Sequence, residues 1–140
     1  RIGMGLFNLF DLAGSAMSAQ SVRINTVASN LANAEVASAS PDAAYRAREP
    51  VFTAVLDEFG EHPESARVTV ADIVESDAPV RQRYAPHHPL ADEKGFIYLP
   101  NVNVVEEMAN MVSAARSYQS NVEVLNTSKQ LLLNTLRLGQ

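Results

Sequence analysis

A chain of 140 residues that is 46 % hydrophobic and 19 % charged can bury one modest core and is too apolar to be disordered by composition. Its net charge of −5 argues against a nucleic-acid partner, which needs a basic face, and the absence of cysteine excludes disulfides and thiolate metal sites. No apolar run approaches the ~20 residues of a membrane span.

The N-terminal stretch has the outline of a signal peptide, with Arg1, an apolar run and then Ala16-Met17-Ser18-Ala19. Asn8 and Asp11 interrupt that run and a helical period continues through the would-be cleavage point, so no cleaved leader is expected. Phe10, Ala13, Met17, Gln20, Ile24, Val27 and Leu31 recur at alternating steps of three and four, which predicts a helix over about 8–34. That helix carries Asn25, Asn30 and Asn33, each costing roughly 0.6 kcal/mol relative to alanine in a helix interior. Such a cost calls for a compensating role.

All seven prolines lie between residues 41 and 100, and all ten asparagines lie outside that interval. The same interval holds six basic and eleven acidic residues, so it carries the entire net charge. The chain therefore divides into two neutral arms, 1–40 and 101–140, around a charged, proline-containing centre, 41–100. In that centre "ASASPDAAYR" (37–46) reads as a loop, and "EPVFTAVLDEF" (49–59) is ambiguous between strand and helix. "RVTVADIV" (67–74), "VRQRY" (80–84) and "GFIYL" (95–99) read as strands.

The second arm repeats the first arm's spacing for more than four heptads, through Val104, Met108, Met111, Ala115, Tyr118, Val122, Leu125, Lys129, Leu132 and Leu136. Pro100 bars an earlier start, Asn103 is a good N-cap, and Glu106 and Glu107 suit the first turn. Arg137 suits the last, so a helix of about 104–138 is predicted. The fold class is α+β: two long terminal helices paired as an antiparallel coiled coil, with a small β-rich central region. Gln20 and Lys129 are the polar members of the predicted seam.

Few residues offer chemistry. His87 and His88 are adjacent and flanked by Pro86 and Pro89, so an extended backbone points them to opposite faces. His62 stands apart beside Pro63, which leaves too few convergent ligands for a metal. Glu106 and Glu107 diverge by about 100° around a helix and cannot flank one substrate bond. No phosphate loop or nucleophile elbow is present. Neither a catalytic role nor a cofactor is expected. A metal-dependent hydrolase built on His87 and His88 is the weaker alternative.

Interaction is the stronger reading. The arms hold only ten charged residues in eighty, whereas solvated coiled-coil faces are normally laced with Glu and Lys. Leu12, Val22, Val112, Leu131 and Leu133 fall outside the predicted seam. Further helices packing on these faces would explain the composition, and Asn25, Asn30, Asn33, Asn110, Gln119, Asn121 and Asn126 would then supply lateral hydrogen bonds. A helical adaptor or export chaperone is the rival, and it would require acidic, solvated helix faces.

"SAMSAQSVRINTVASNLANAE" (15–35) resembles the N-terminal signature of bacterial flagellar rod, hook and hook-associated axial proteins, and "YRAREPVF" (45–52) resembles the next segment of the rod subgroup. "NMVSAARSYQSNVEVLNTSKQLLLNTLRLG" (110–139) is similar to the family's C-terminal helix, and "YAPHHPLADEKGFIYLPNVNVVEEMANM" (84–111) to the proximal rod subgroup. One departure is Ala44, where family members carry glycine before the tyrosine; it puts the path of the 35–46 loop in doubt. The resemblance implies a structural subunit of the basal-body rod, polymerising helically with copies of itself and sibling subunits into a torque-transmitting shaft across the periplasm. It implies delivery by the flagellar type III export apparatus without a cleaved signal, arms that order on assembly, and the basal-body membrane ring as a further contact.

Overall fold

The computed structural model describes residues 2–56 and 66–139, with side chains from residue 5. His62, Pro63 and the end of the ambiguous 49–59 segment lie outside it. Two helices, α1 (Ile2–Asn33) and α2 (Val104–Leu138), enclose four strands in sequence: β1 (Arg48–Leu56), β2 (Ala66–Glu75), β3 (Arg81–Tyr84) and β4 (Phe96–Leu99). The α+β class and the paired terminal helices are as the periodicity predicts.

At 32 and 35 residues each helix is roughly 50 Å long. The start of α2 is set by Asn103, whose side-chain oxygen accepts from the backbone N–H groups of Val105 and Glu106. Helix α1 starts six residues before the predicted position. Its C-terminal end is held from outside: the Arg81 guanidinium donates to the carbonyls of Ala34 (2.8 Å) and Pro100 (3.0 Å). Glu35 in turn pairs with Arg81 and Arg83.

The helices run antiparallel, so the start of α2 lies beside the end of α1, where Arg23 Nε donates to Asn110 Oδ1 at 2.6 Å. Strands β1 and β2 form an antiparallel ribbon that lies along a second face of α1. Ser15, Ala19 and Val22 meet residues 67–70 there, and Val22, Thr26 and Ser29 meet Arg48 and Ile73. Thus α1 is the middle of three layers, with α2 on one side and the ribbon on the other. Beside the ribbon Ala19 and Thr26 are buried and Ser15, Val22 and Ser29 half-buried, while Gly14, Ser18, Ser21, Ala28 and Ala32 of the same helix stay exposed. Val22, expected to meet a neighbouring helix, is half-buried beside the ribbon.

The second pair, β3 and β4, is tied to the end of α1 through Arg81. Ser38 bridges to Tyr98, which places β4 between the 35–46 loop and β3. Ala34, Ala47 and Val102 form a buried cluster under Tyr45 and Val104. The loop reaches this cluster without glycine: Ala44 is buried, and no non-glycine residue among those described has a positive φ.

Gly95 does need to be glycine. Its φ is +83°, and an added Cβ would sit 2.9 Å from Tyr84 Cε2 and 3.1 Å from Pro86 Cβ. Gly95→Ala is expected to destabilise the chain by about 1–3 kcal/mol. A urea titration followed by circular dichroism measures it, and a variant as stable as the parent contradicts the strain.

Candidate assembly interface

Residues 85–95 fold as successive turns between β3 and β4. Asp92 Oδ1 accepts from the backbone N–H groups of Lys94 and Phe96, both at 2.9 Å, and Oδ2 accepts from the Tyr98 hydroxyl at 2.7 Å. The Phe96 N–H and the Tyr98 hydroxyl hold the Asp92 carboxyl below its ordinary range, so its contribution to stability is present at neutral pH and lost as acid protonates it. His88 Nδ1 accepts from the Leu90 N–H, His87 is exposed, and among the described residues no three metal-ligating side chains converge. His87 and His88 therefore belong to a turn beside β4.

Asn30 is fully buried where α1, α2 and β1 meet. Its amide donates to the Arg48 carbonyl (2.8 Å), and its oxygen accepts from the Arg48 N–H (3.0 Å) and the Tyr45 hydroxyl (2.8 Å). One side chain thus takes the place of a neighbouring strand at the base of the ribbon. This corrects the lateral role expected of Asn30, because its polar atoms are used inside the subunit. Asn110 is likewise taken up by Arg23, while Asn33 and Asn121 donate to the carbonyls four residues earlier, Ser29 and Ser117. Asn25, Gln119 and Asn126 are exposed.

The seam differs from the predicted one in a consistent way. On α1, Ala13 and Val27 are buried, and Phe10, Met17, Gln20, Ile24 and Leu31 are half-buried. On α2, Val104, Met111, Ala115, Tyr118, Val122, Leu125 and Leu132 are half-buried, but the two buried side chains are Ala114 (0 % exposed) and Ser128 (1 %). Met108, Lys129 and Leu136 are exposed, so they are not seam residues within the subunit. The alternate position of the repeat is Glu107, Ala114, Asn121 and Ser128, one residue before the predicted set. Small side chains there let the helix backbones approach closely. Gln20 accepts from Arg23 and does not meet Lys129.

Glu107 stands out in this seam. Its Oε2 is enclosed with no hydrogen-bond partner. Burial raises its pKa above the ordinary 4.5, Asn30 opposes the shift, and the charges of Glu49 and Glu106 add to it. In the window just above 4.5 the folded chain keeps a proton that the unfolded chain loses, so stability falls as pH rises through that window. Glu107→Gln is expected to raise stability at pH 7 and to flatten this part of the pH profile. Thermal melts at pH 4, 5.5 and 7 test it, and a variant less stable than the parent at pH 7 contradicts the burial argument.

What remains uncovered is the back of α2. Val105 (76 % exposed), Met108 (55 %) and Val112 (54 %) line its first turns, and Leu131, Leu133, Leu136 and Leu138 are exposed toward its end. A shallow groove between these groups is floored by small residues, among them Ala109, Ser113, Ser117 and Ser120. Val105, Met108 and Val112 share one face of the helix and leave an apolar strip in solvent. Among the described residues no helix is long and apolar enough to cross a membrane.

Residues 10–37 match the family model "Flagella basal body rod protein", and residues 93–138 match "Flagellar basal body rod FlgEFG protein C-terminal". The chain is 52 % identical over 139 residues to the flagellar basal-body rod protein FlgC of Escherichia coli O6:H1, spanning 98 % of this chain and 100 % of that one. It is 52 % identical over 137 residues to that of Yersinia enterocolitica, with the same coverage. To that of Borreliella burgdorferi it is 32 % identical over 151 residues, covering 98 % and 99 %. Two matched arms and likeness along nearly the whole length place the chain in the FlgC family of flagellar basal-body rod proteins.

Proposed function

We propose that this chain is a structural subunit of the flagellar rod that assembles with copies of itself and sibling rod subunits through the back of α2. The observation that carries the reading is the exposed ridge of Val105, Met108 and Val112, with further exposed leucines around the last turns. In this reading residues 1–40 and 101–140 form the axial core and 41–100 the region outside it. The seam residues shape the helix pair, and the exposed amides Asn25, Gln119 and Asn126 make lateral hydrogen bonds. Stacked helix pairs form a shaft that transmits torque and encloses the export channel. The subunit reaches that position through the type III export apparatus, and the basal-body ring is a further contact.

Replacing Met108 and Val112 together with glutamate tests the reading, because both side chains are exposed in the subunit. The expected result is unchanged helix content by circular dichroism, with loss of the variant from purified basal bodies and loss of motility. Normal incorporation of the double variant counts against α2 as the assembly surface.

A further inference from the structure

The backbone of the ribbon points to an interaction surface separate from α2. Both the N–H and the carbonyl of Arg48 bond to Asn30, so at the base of β1 these groups turn away from β2. In an antiparallel ladder that orientation recurs at every second residue. The register shift beside Val51 and Phe52 places the extra residue, Ala71, in β2, so the alternation along β1 is unbroken. Pro50, Phe52, Ala54 and Leu56 therefore share the outward orientation. An independent bond supports this. Val68, the partner of Ala54, sends its N–H to Ser15 Oγ at 2.9 Å, outside the ladder, as the partner of an outward residue must.

The twist of the ribbon gives the two edges different surroundings. At the base, the edge of β1 lies on α1 at Asn30; toward the tip, the edge of β2 lies on α1 at Ser15. Beyond Pro50 the edge of β1 thus faces away from α1. Among the described residues the outward N–H and carbonyl groups of Phe52, Ala54 and Leu56 have no partner. The stretch "VFTAVL" (51–56) has high strand propensity and contains no charge, proline or glycine to block pairing.

We propose that this open edge pairs antiparallel with the same edge of a second copy, about a two-fold axis at Ala54. In that register Ala54 opposes Ala54 and Phe52 opposes Leu56, so no like charges meet and the exposed Phe52 and Leu56 side chains cover one another. The outward groups make up to about six hydrogen bonds. Such a contact uses one patch twice and closes on itself. It produces a dimer of the free chain, independent of the α2 surface and of the rod reading.

The test is the full chain in sedimentation equilibrium over a wide concentration range, beside Ala54→Pro. Proline at 54 removes an N–H that the β1–β2 ladder does not use, so the hairpin stays intact while the edge is blocked. The parent is expected to dimerise, and Ala54→Pro to weaken dimerisation at least ~10-fold with an unchanged circular dichroism spectrum. A second measurement uses the absence of native cysteine. Mixing Thr53→Cys with Val55→Cys should give a disulfide-linked heterodimer under mild oxidation, since these residues oppose each other at about 4.5 Å between Cα atoms. A parent that stays monomeric, a proline variant that associates as tightly as the parent, or no heterodimer in the mixture each overturns the contact.

Discussion

Asn30→Ala is expected to destabilise the chain by about 2–4 kcal/mol, whereas Asn33→Ala, three positions on in the same helix, should change stability by less than ~0.5 kcal/mol. The difference lies in what each amide serves. Asn33 donates to Ser29 of its own helix, and losing that bond while gaining alanine's helix propensity nearly cancels. Asn30 is fully buried and satisfies the N–H and the carbonyl of Arg48 together with the Tyr45 hydroxyl. Alanine leaves the Arg48 N–H and carbonyl unpaired in a cavity, while the Tyr45 hydroxyl keeps Ser29 Oγ at 3.3 Å; unpaired buried groups cost about 1–3 kcal/mol each, less what water entering the cavity restores. Asn30→Asp should not rescue, because a carboxylate cannot donate to the Arg48 carbonyl and would add a charge beside Glu107. Urea unfolding followed at 222 nm separates the variants. Equal midpoints for Asn30→Ala and Asn33→Ala would mean that the ribbon is not anchored at its base.

Much of the fold is legible from local signals because those signals act locally. Pro100 and Asn103 mark the start of α2 whatever packs against it, and the period-two runs at 67–74 and 95–99 fall within a residue of β2 and β4. The segment 49–59 reads ambiguously because an apolar run of that length suits either element, and pairing with β2 decides for strand over its described part. The placement of the ribbon on α1 has no comparable local signature. Ser15, Ala19, Val22 and Thr26 are small or β-branched, so they look like a bland outer face until a partner is placed on them. Asn30 does carry a signal, the unfavourable presence of asparagine inside a helix, but its partner lies eighteen residues away in a strand. That signal gives a role without its address.

The same limit explains the shifted seam. Heptad reading follows the more apolar of two adjacent positions at Met108 and Val122, and that register carries it on to Ala115 and Lys129. The structure instead packs Glu107, Ala114, Asn121 and Ser128, because the back of α2 is also apolar and hydrophobicity alone does not say which side faces α1. Size does: close helix approach needs small residues at the contact, and Ala114 and Ser128 supply them. An apolar back on α2 and a small-residue front are together what a subunit needs if its own partner helix lies on one side and other chains on the opposite side.

The register is testable by overpacking. Ala114→Leu should cost about 2–3 kcal/mol, because extra methylene groups at a site with no exposure force the helices apart or the side chain off its rotamer. Ser128→Leu should behave similarly; its hydroxyl is already spent on the Val124 carbonyl of its own helix, so the loss would come from volume rather than polarity. Lys129→Ala and Met108→Ala, one residue from the contact, should each stay within ~0.5 kcal/mol. Thermal melts of the four variants decide between the two registers. If Lys129→Ala proves the most damaging and Ala114→Leu is tolerated, the seam runs through the apolar set after all. The exposed ridge would then face inward, and the case for α2 as the surface that receives neighbouring subunits would fall with it.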